Sequence, residues 1–281
     1  MNMGPVGVVG LGVVGRTTRD AFDESGIATV GYDPYLGVGG SVELAACDVV
    51  FVCVPTPSTR QGGYDLAEVW AATENIAANS RPATIVAIKS TVPPGTSDRL
   101  AMAFPSLRFA SVPEFLVATD PVASFRSPDR IVIGADDPSV GAVLQDLMTR
   151  VIPNTPVARV RAIEAELVKL SANAMLSARV AMANELAEVC ARYGVEWAAV
   201  QEVVGMDRRI GPSHLTVSPE RGFGGACLPK DLDGLIVAAR EGGYEPTVLE
   251  RLAAFNRWIR RIGATGERAA GYVDVEEAIA Q

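Results

Sequence analysis

Ten residues, Gly222-Phe223-Gly224-Gly225-Ala226-Cys227-Leu228-Pro229-Lys230-Asp231, set a thiol in a glycine-rich turn with a cation and a carboxylate three and four positions behind it. Glycine lets a backbone approach a ligand and adopt positive φ, and a neighbouring positive charge favours the nucleophilic thiolate. The chemistry this pattern serves is covalent: sulfur attacking an electrophilic carbon. The other cysteines read differently. Cys47 and Cys53 lie in or beside the apolar run 48–54, and Cys190 sits among apolar residues of a helical stretch, so each reads as a small buried hydrophobe. With no C-x-x-C pair and no histidine at ligand spacing from a cysteine, no metal site is expected.

The second chemistry-bearing stretch follows the apolar run 6–9 and reads Gly10-Leu11-Gly12-Val13-Val14-Gly15. A G-x-G-x-x-G turn between a strand and a helix, with Asp33 at the end of the next strand, is the setting a dinucleotide requires. Gly10 makes the tight turn, Gly12 admits the pyrophosphate to the backbone, and Gly15 allows close helix packing with the phosphates at the helix N-terminus. Asp33 would accept hydrogen bonds from the adenosine ribose and repel a 2′-phosphate, so NAD is expected rather than NADP.

The elements that must position these groups are legible in outline. Strand-like runs at 6–9, 29–32, 49–54, 85–88, 108–112 and 130–133 alternate with helical patterns, which predicts an α/β fold with a doubly wound parallel sheet of Rossmann type. From 162 to 193 there is neither Gly nor Pro, so one helix about 45 Å long is expected. It would bridge two lobes or form a dimer spine. Further helices are expected at 196–204, 230–241 and 247–261, with a loop over 205–225. Two domains follow: 1–160, a Rossmann domain, and 161–281, a helical domain carrying the cysteine loop and a dimer interface.

Of 281 residues, 48% are hydrophobic, enough for a sizeable core, and the formal charge of −8 disfavours nucleic acid as a partner. No apolar run reaches the roughly 20 residues that cross a bilayer, and the N-terminus opens on a strand rather than a leader. The expected location is the cytoplasm.

Six ordered stretches carry a further resemblance: Val54-Pro55-Thr56-Pro57, Lys89-Ser90-Thr91-Val92-Pro93-Pro94-Gly95-Thr96, Pro113-Glu114-Phe115-Leu116, the segment 164–173, Arg209-Ile210-Gly211 and the cysteine loop. Over about 6–261 the chain resembles the UDP-glucose/GDP-mannose dehydrogenase family. The resemblance implies NAD-dependent oxidation of a nucleotide sugar's primary alcohol, first to an aldehyde and then, through a cysteine thiohemiacetal and thioester, to a carboxylate. It makes Cys227 the nucleophile, with Lys169 and Asn173 stabilising the substrate oxyanion from one face of a helix. It gives Glu114 to water activation, and Thr91 and Asp231 to the catalytic water and its protons. Beside Gly10, Gly12, Val13, Val14, Gly15 and Asp33, it brings Val54, Pro55, Thr56 and Thr91 to the cofactor. Substrate contacts would come from Glu114, Phe115, Leu116, Lys169, Asn173, Phe223, Gly224 and Lys230, and from Arg209 reaching a neighbouring subunit of a homodimer. His214 is read as a packing or surface residue rather than a proton carrier.

The chain also departs from the family pattern. It stops at Gln281, where the family continues into a UDP-binding domain; the connection after Asp33 is short; and Ala118 stands where a second glutamate is usual. Two substrates stay open on this reading, a nucleotide sugar or a smaller hydroxymethyl compound such as a sugar phosphate or nucleoside. Two other functions also stay open: a single-step β-hydroxyacid-type dehydrogenase, and a non-catalytic NAD-binding regulator.

Overall fold

A computed structural model of the protein describes residues 4–265. The described residues form two compact units, one of 4–59 and 64–169, the other of 60–63 and 170–265.

In the first unit, seven strands form one sheet: β1 (Val6–Val9), β2 (Thr29–Tyr32), β3 (Val49–Val52), β4 (Ile85–Ile88), β5 (Arg108–Ser111), β6 (Ile131–Gly134) and β7 (Val157–Val160). Their order is β2-β1-β3-β4-β5-β6-β7. Because β2 and β3 leave β1 in opposite directions, a crevice opens at the carboxyl ends of β1 and β3, where open α/β sheets bind ligands. The strands alternate between two cores. Val6, Val8, Val49, Phe51, Ile85 and Ala87 face one layer, and Val9, Val50, Val52, Val86 and Ile88 face the other. Apolar residues at every position suit a sheet covered on both faces. Helices α1 (Val13–Glu24), α4 (Pro121–Arg126) and α5 (Pro138–Val151) supply Phe22, Phe125 and Leu144 to the first layer. Helices α2 (Ala67–Asn79) and α3 (Thr96–Ala103) supply Ile76 and Leu100 to the second.

The sheet is mostly parallel, and two details differ from the expected pattern. β6 runs antiparallel to β5, paired at Ser111 and Gly134. β7, unmarked in the sequence, joins β6 in parallel at the edge; its four residues are only partly covered, so they carry no apolar run to betray them. Strands β3 and β5 also stop short of the expected 54 and 112, ahead of Pro55 and Pro113, which have no N–H to extend a ladder.

Helix α6 (Ala162–Arg192) is continuous over 31 residues. Its residues through Lys169 belong to the first unit and those from Leu170 to the second. In the second unit it is joined by α7 (Trp197–Gly205), α8 (Leu228–Glu241) and α9 (Thr247–Thr265). Small residues on α6, Ala174 and Ala181, pack against Phe223, Leu232, Ile236 and Ala253. Helix α8 begins two residues before the expected 230, with Pro229 in its first turn, where the missing N–H costs nothing. Among the described residues no helix is long and apolar enough to cross a membrane.

Candidate active site

The glycine turn is built by contact as much as by conformation. Gly10 has φ +84°, and a Cβ on Gly15 would sit 1.8 Å from the Gly10 carbonyl oxygen, so α1 reaches the end of β1 only with glycine there. A Cβ on Gly12 would meet nothing within 4 Å. That open space lies over the N-terminus of α1, which has no side-chain cap and no acidic residue in its first turn, including Val13 and Val14. The first-turn N–H groups and the helix dipole there suit a pyrophosphate. Asp33 is 8% exposed; its Oδ2 accepts from Leu11 N at 2.7 Å and its Oδ1 from Tyr35 N and Leu36 N. The carboxylate is thereby locked beside the turn, and with the Leu11 N–H on Oδ2 it keeps acceptor capacity for a ribose hydroxyl. These residues fit NAD.

Across the crevice, the β3 and β4 loops brace each other. Ser90 Oγ donates to the Val54 carbonyl at 2.6 Å, and Thr56 Oγ1 donates to the Thr91 carbonyl at 2.7 Å. The segment Val54-Pro55-Thr56 and Thr91 therefore form one wall. Beyond it, Lys169 Nζ donates to Glu114 Oε1 at 3.0 Å, with the two side chains 8% and 14% exposed. The other oxygen of Glu114 takes Leu116 N, and Lys169 also lies 5.4 Å from the Phe115 ring centre. Glu114, Phe115, Leu116 and Lys169 are thus assembled in the first unit. A residue that sequence reasoning passed over holds the same region. Glu166, one turn before Lys169, accepts from Gly95 N, Ser97 N and Ser97 Oγ at 2.6, 2.8 and 2.7 Å, capping α3 from α6.

In the second unit, Cys227 is the exposed N-cap of α8. Asp231, one turn later and 1% exposed, has Lys230 Nζ at 2.8 Å from Oδ1 and Asn173 Nδ2 at 2.5 Å from Oδ2. The loop ahead of the thiol is clamped by two asparagines absent from the sequence reading. Asn256 on α9 accepts from Phe223 N at 2.7 Å and donates to the Phe223 carbonyl at 2.9 Å. Asn184 on α6 accepts from Gly222 N at 3.0 Å. On α6 the polar residues Glu166, Lys169, Asn173, Ser177 and Asn184 are all buried, and their recurrence at helical spacing in an otherwise alanine-rich stretch was the available signal.

The remaining candidates make other contacts. Arg209 is 89% exposed and bound to Asp207 at 2.6 Å. His214 has φ +60° and shares a hydrogen bond with Ser213 Oγ, and burial pushes its pKa below the usual value. Burial pushes the Cys47 thiol up to about 11 and the Cys53 thiol up to about 12, which keeps both protonated and inert.

Residues 39–152 match the model of the UDP-glucose/GDP-mannose dehydrogenase family's NAD binding domain, and residues 163–258 match that family's central domain. The UDP-glucose 6-dehydrogenase of Pseudomonas aeruginosa is 38% identical over 224 residues, covering 76% of this chain and 49% of that protein. The Rhizobium meliloti UDP-glucose 6-dehydrogenase is 36% identical over 225 residues, covering 76% and 51%. The chain spans about half the length of the curated relatives it matches. A solved UDP-glucose dehydrogenase from the hyperthermophilic archaeon Pyrobaculum islandicum superposes with a TM-score of 0.83 at 31% identity, over 92% of this chain and 68% of that one. With both family domains in order along the chain and the glycine turn and Asp33 shaped for the dinucleotide, the chain belongs to the UDP-glucose/GDP-mannose dehydrogenase family, and its cofactor is NAD.

Proposed function

We propose that the chain carries the cofactor and catalytic parts of an NAD-dependent dehydrogenase that oxidises the primary alcohol of a nucleotide sugar, of the UDP-glucose type, to a carboxylate through a thioester on Cys227. One observation carries the reading: one turn apart on α6, Lys169 is held by Glu114 and Asn173 by Asp231, and Asp231 follows the exposed thiol by four residues. The names of the relatives support the substrate class.

NAD, bound in turn for each of the two oxidations, would accept one hydride each time. Lys169 and Asn173 donate hydrogen bonds to the substrate oxygen while its proton passes to a water molecule and the carbinol C–H bond breaks with its electron pair leaving as hydride, giving the aldehyde. The Cys227 sulfur adds to the aldehyde carbon, and the same donors hold the thiohemiacetal oxygen. Loss of the second C–H hydride gives the thioester. Glu114 takes a proton from water as its oxygen adds to the thioester carbon, the C–S bond breaks, and the sulfur is released for the next cycle beside Asp231 and Lys230. One alcohol, one water and two NAD give one carboxylate, two NADH and three protons.

The test is stoichiometry. The parent protein should form two NADH per UDP-glucose consumed, and Cys227→Ser at most a slow first equivalent, because an ester of serine is a poorer intermediate than a thioester. One NADH per substrate, an aldehyde as final product and no effect of the serine change would defeat the mechanism.

A homodimer belongs to the same proposal. Opposite its buried polar face, α6 exposes Met175 (66%), Met182 (59%), Leu186 (37%) and Val189 (48%), followed by Tyr193 (82%) just past its end. An apolar stripe of this length favours burial against a second copy. Light scattering should give twice the monomer mass for the parent and a monomer for Met182→Glu.

A further inference from the structure

In the first unit the Lys89 side chain is 4% exposed and makes no hydrogen bond or ion pair among the described residues; its ammonium lies 5.5 Å from the Phe125 ring centre. A buried cation without a partner is unfavourable. Burial pushes the Lys89 pKa below that of an ordinary lysine, against the opposing influence of Cys53 and Glu114.

Lys89 lines a pocket that it shares with Arg130. The Arg130 guanidinium lies 4.3 Å from the Phe115 ring centre and likewise makes no hydrogen bond or ion pair among the described residues. Glu114, the carboxylate on the pocket wall, is committed through its two oxygens to Lys169 and to Leu116 N. Two cations are therefore left over an apolar floor that includes Met148 and Ile152.

We infer that this pocket binds a small carboxylate with a compact apolar body, its carboxylate between Lys89 and Arg130 and its body on Met148 and Ile152. A planar carboxylate matches the edge of a guanidinium. Glu114 on the same wall disfavours a more highly charged phosphate. Its lining includes no residue of the glycine turn and shares Glu114, Phe115 and Leu116 with the substrate contacts expected above, and binding of a probe there does not require the proposed reaction. Phe115, which Arg130 and Lys169 both face, would transmit occupancy to the Lys169 and Glu114 pair.

The experiment uses benzoate as probe, with benzyl alcohol as its uncharged counterpart and chloride at matched ionic strength. Benzoate should raise the melting temperature saturably, as a ligand of the folded state does, and the two controls should not. Lys89→Met and Arg130→Gln should each weaken benzoate at least about tenfold, and Lys89→Met should be no less stable than the parent without ligand. In crystals soaked with 4-bromobenzoate the bromine should lie beside Met148 and Ile152. Should Lys89→Met fail to fold, Arg130→Gln and the bromine position decide. No saturable response, undiminished affinity in Arg130→Gln, or a bromine elsewhere would overturn the inference.

Discussion

Asn173 Nδ2 donates to Oδ2 of Asp231 at 2.5 Å, and the carboxylate it holds is 1% exposed. A charge so far from water persists only when its oxygens are hydrogen-bonded. Lys230 lies 2.8 Å from the other oxygen. Asp231→Asn keeps the shape but turns one acceptor into a donor facing donors. It should cost about 1–3 kcal/mol of stability and lower kcat by about a hundredfold or more. Urea melts check the first part and initial rates the second; an unchanged midpoint would contradict the pairing.

Gly12 and Gly15 separate binding from folding. Gly15→Ala would drive a methyl to 1.8 Å from the Gly10 oxygen, whereas Gly12→Ala meets no protein atom within 4 Å. The first should lose about 1–3 kcal/mol or more through overpacking. The second should stay within about 1 kcal/mol of the parent yet weaken NAD at least about tenfold, because its methyl occupies the pyrophosphate's approach. Calorimetric melting and NAD titration of both variants give the comparison.

Glu166 makes stability depend on pH. Burial raises its pKa above the usual 4.5, outweighing the bonds from Ser97 and Gly95. The folded state therefore holds this proton more tightly than the unfolded state. The contribution is fully present below the unfolded value and is lost as pH rises through the folded one. Glu166→Gln removes that dependence, so its melting temperature should gain on the parent's as pH rises from 4.5. Parallel curves for the two proteins would refute this reading.

Asn256→Ala should act on the cysteine loop alone. It deprives both backbone groups of the buried Phe223 of partners, at about 1–3 kcal/mol for each. Alkylation of Cys227 by iodoacetamide should change in rate as the loop loosens. NAD affinity should be unchanged, since the glycine turn lies in the other unit; a parallel loss of NAD binding would mean that the asparagine does more than clamp the loop.

What could be read in advance shares one property: each signal is contained in a few adjacent residues. The turn from Gly10 to Gly15 is specified by short contacts between neighbours in the chain, six of the seven strands by their own short runs, and α6 by an unbroken absence of Gly and Pro. The pattern at 222–231 announced a thiol in a tight turn for the same reason, and Cys227 is exposed where that turn meets α8. β7 escaped notice because an edge strand that is partly covered needs no apolar run, and the reversal of β6 is a property of pairing rather than of the strand itself.

By itself, the sequence determined the backbone conformations and the residue types available for chemistry, because these depend on local sterics and period. Only the tertiary structure decided which polar groups meet. Glu166 finds Ser97 across 69 residues, Asn256 finds Phe223 across 33, and Lys89 is buried with no hydrogen bond or ion pair among the described residues. Nothing local distinguishes a buried asparagine from a solvated one. The difference arises when packing removes water and leaves each polar atom to be satisfied by whichever group the fold has brought within about 3 Å.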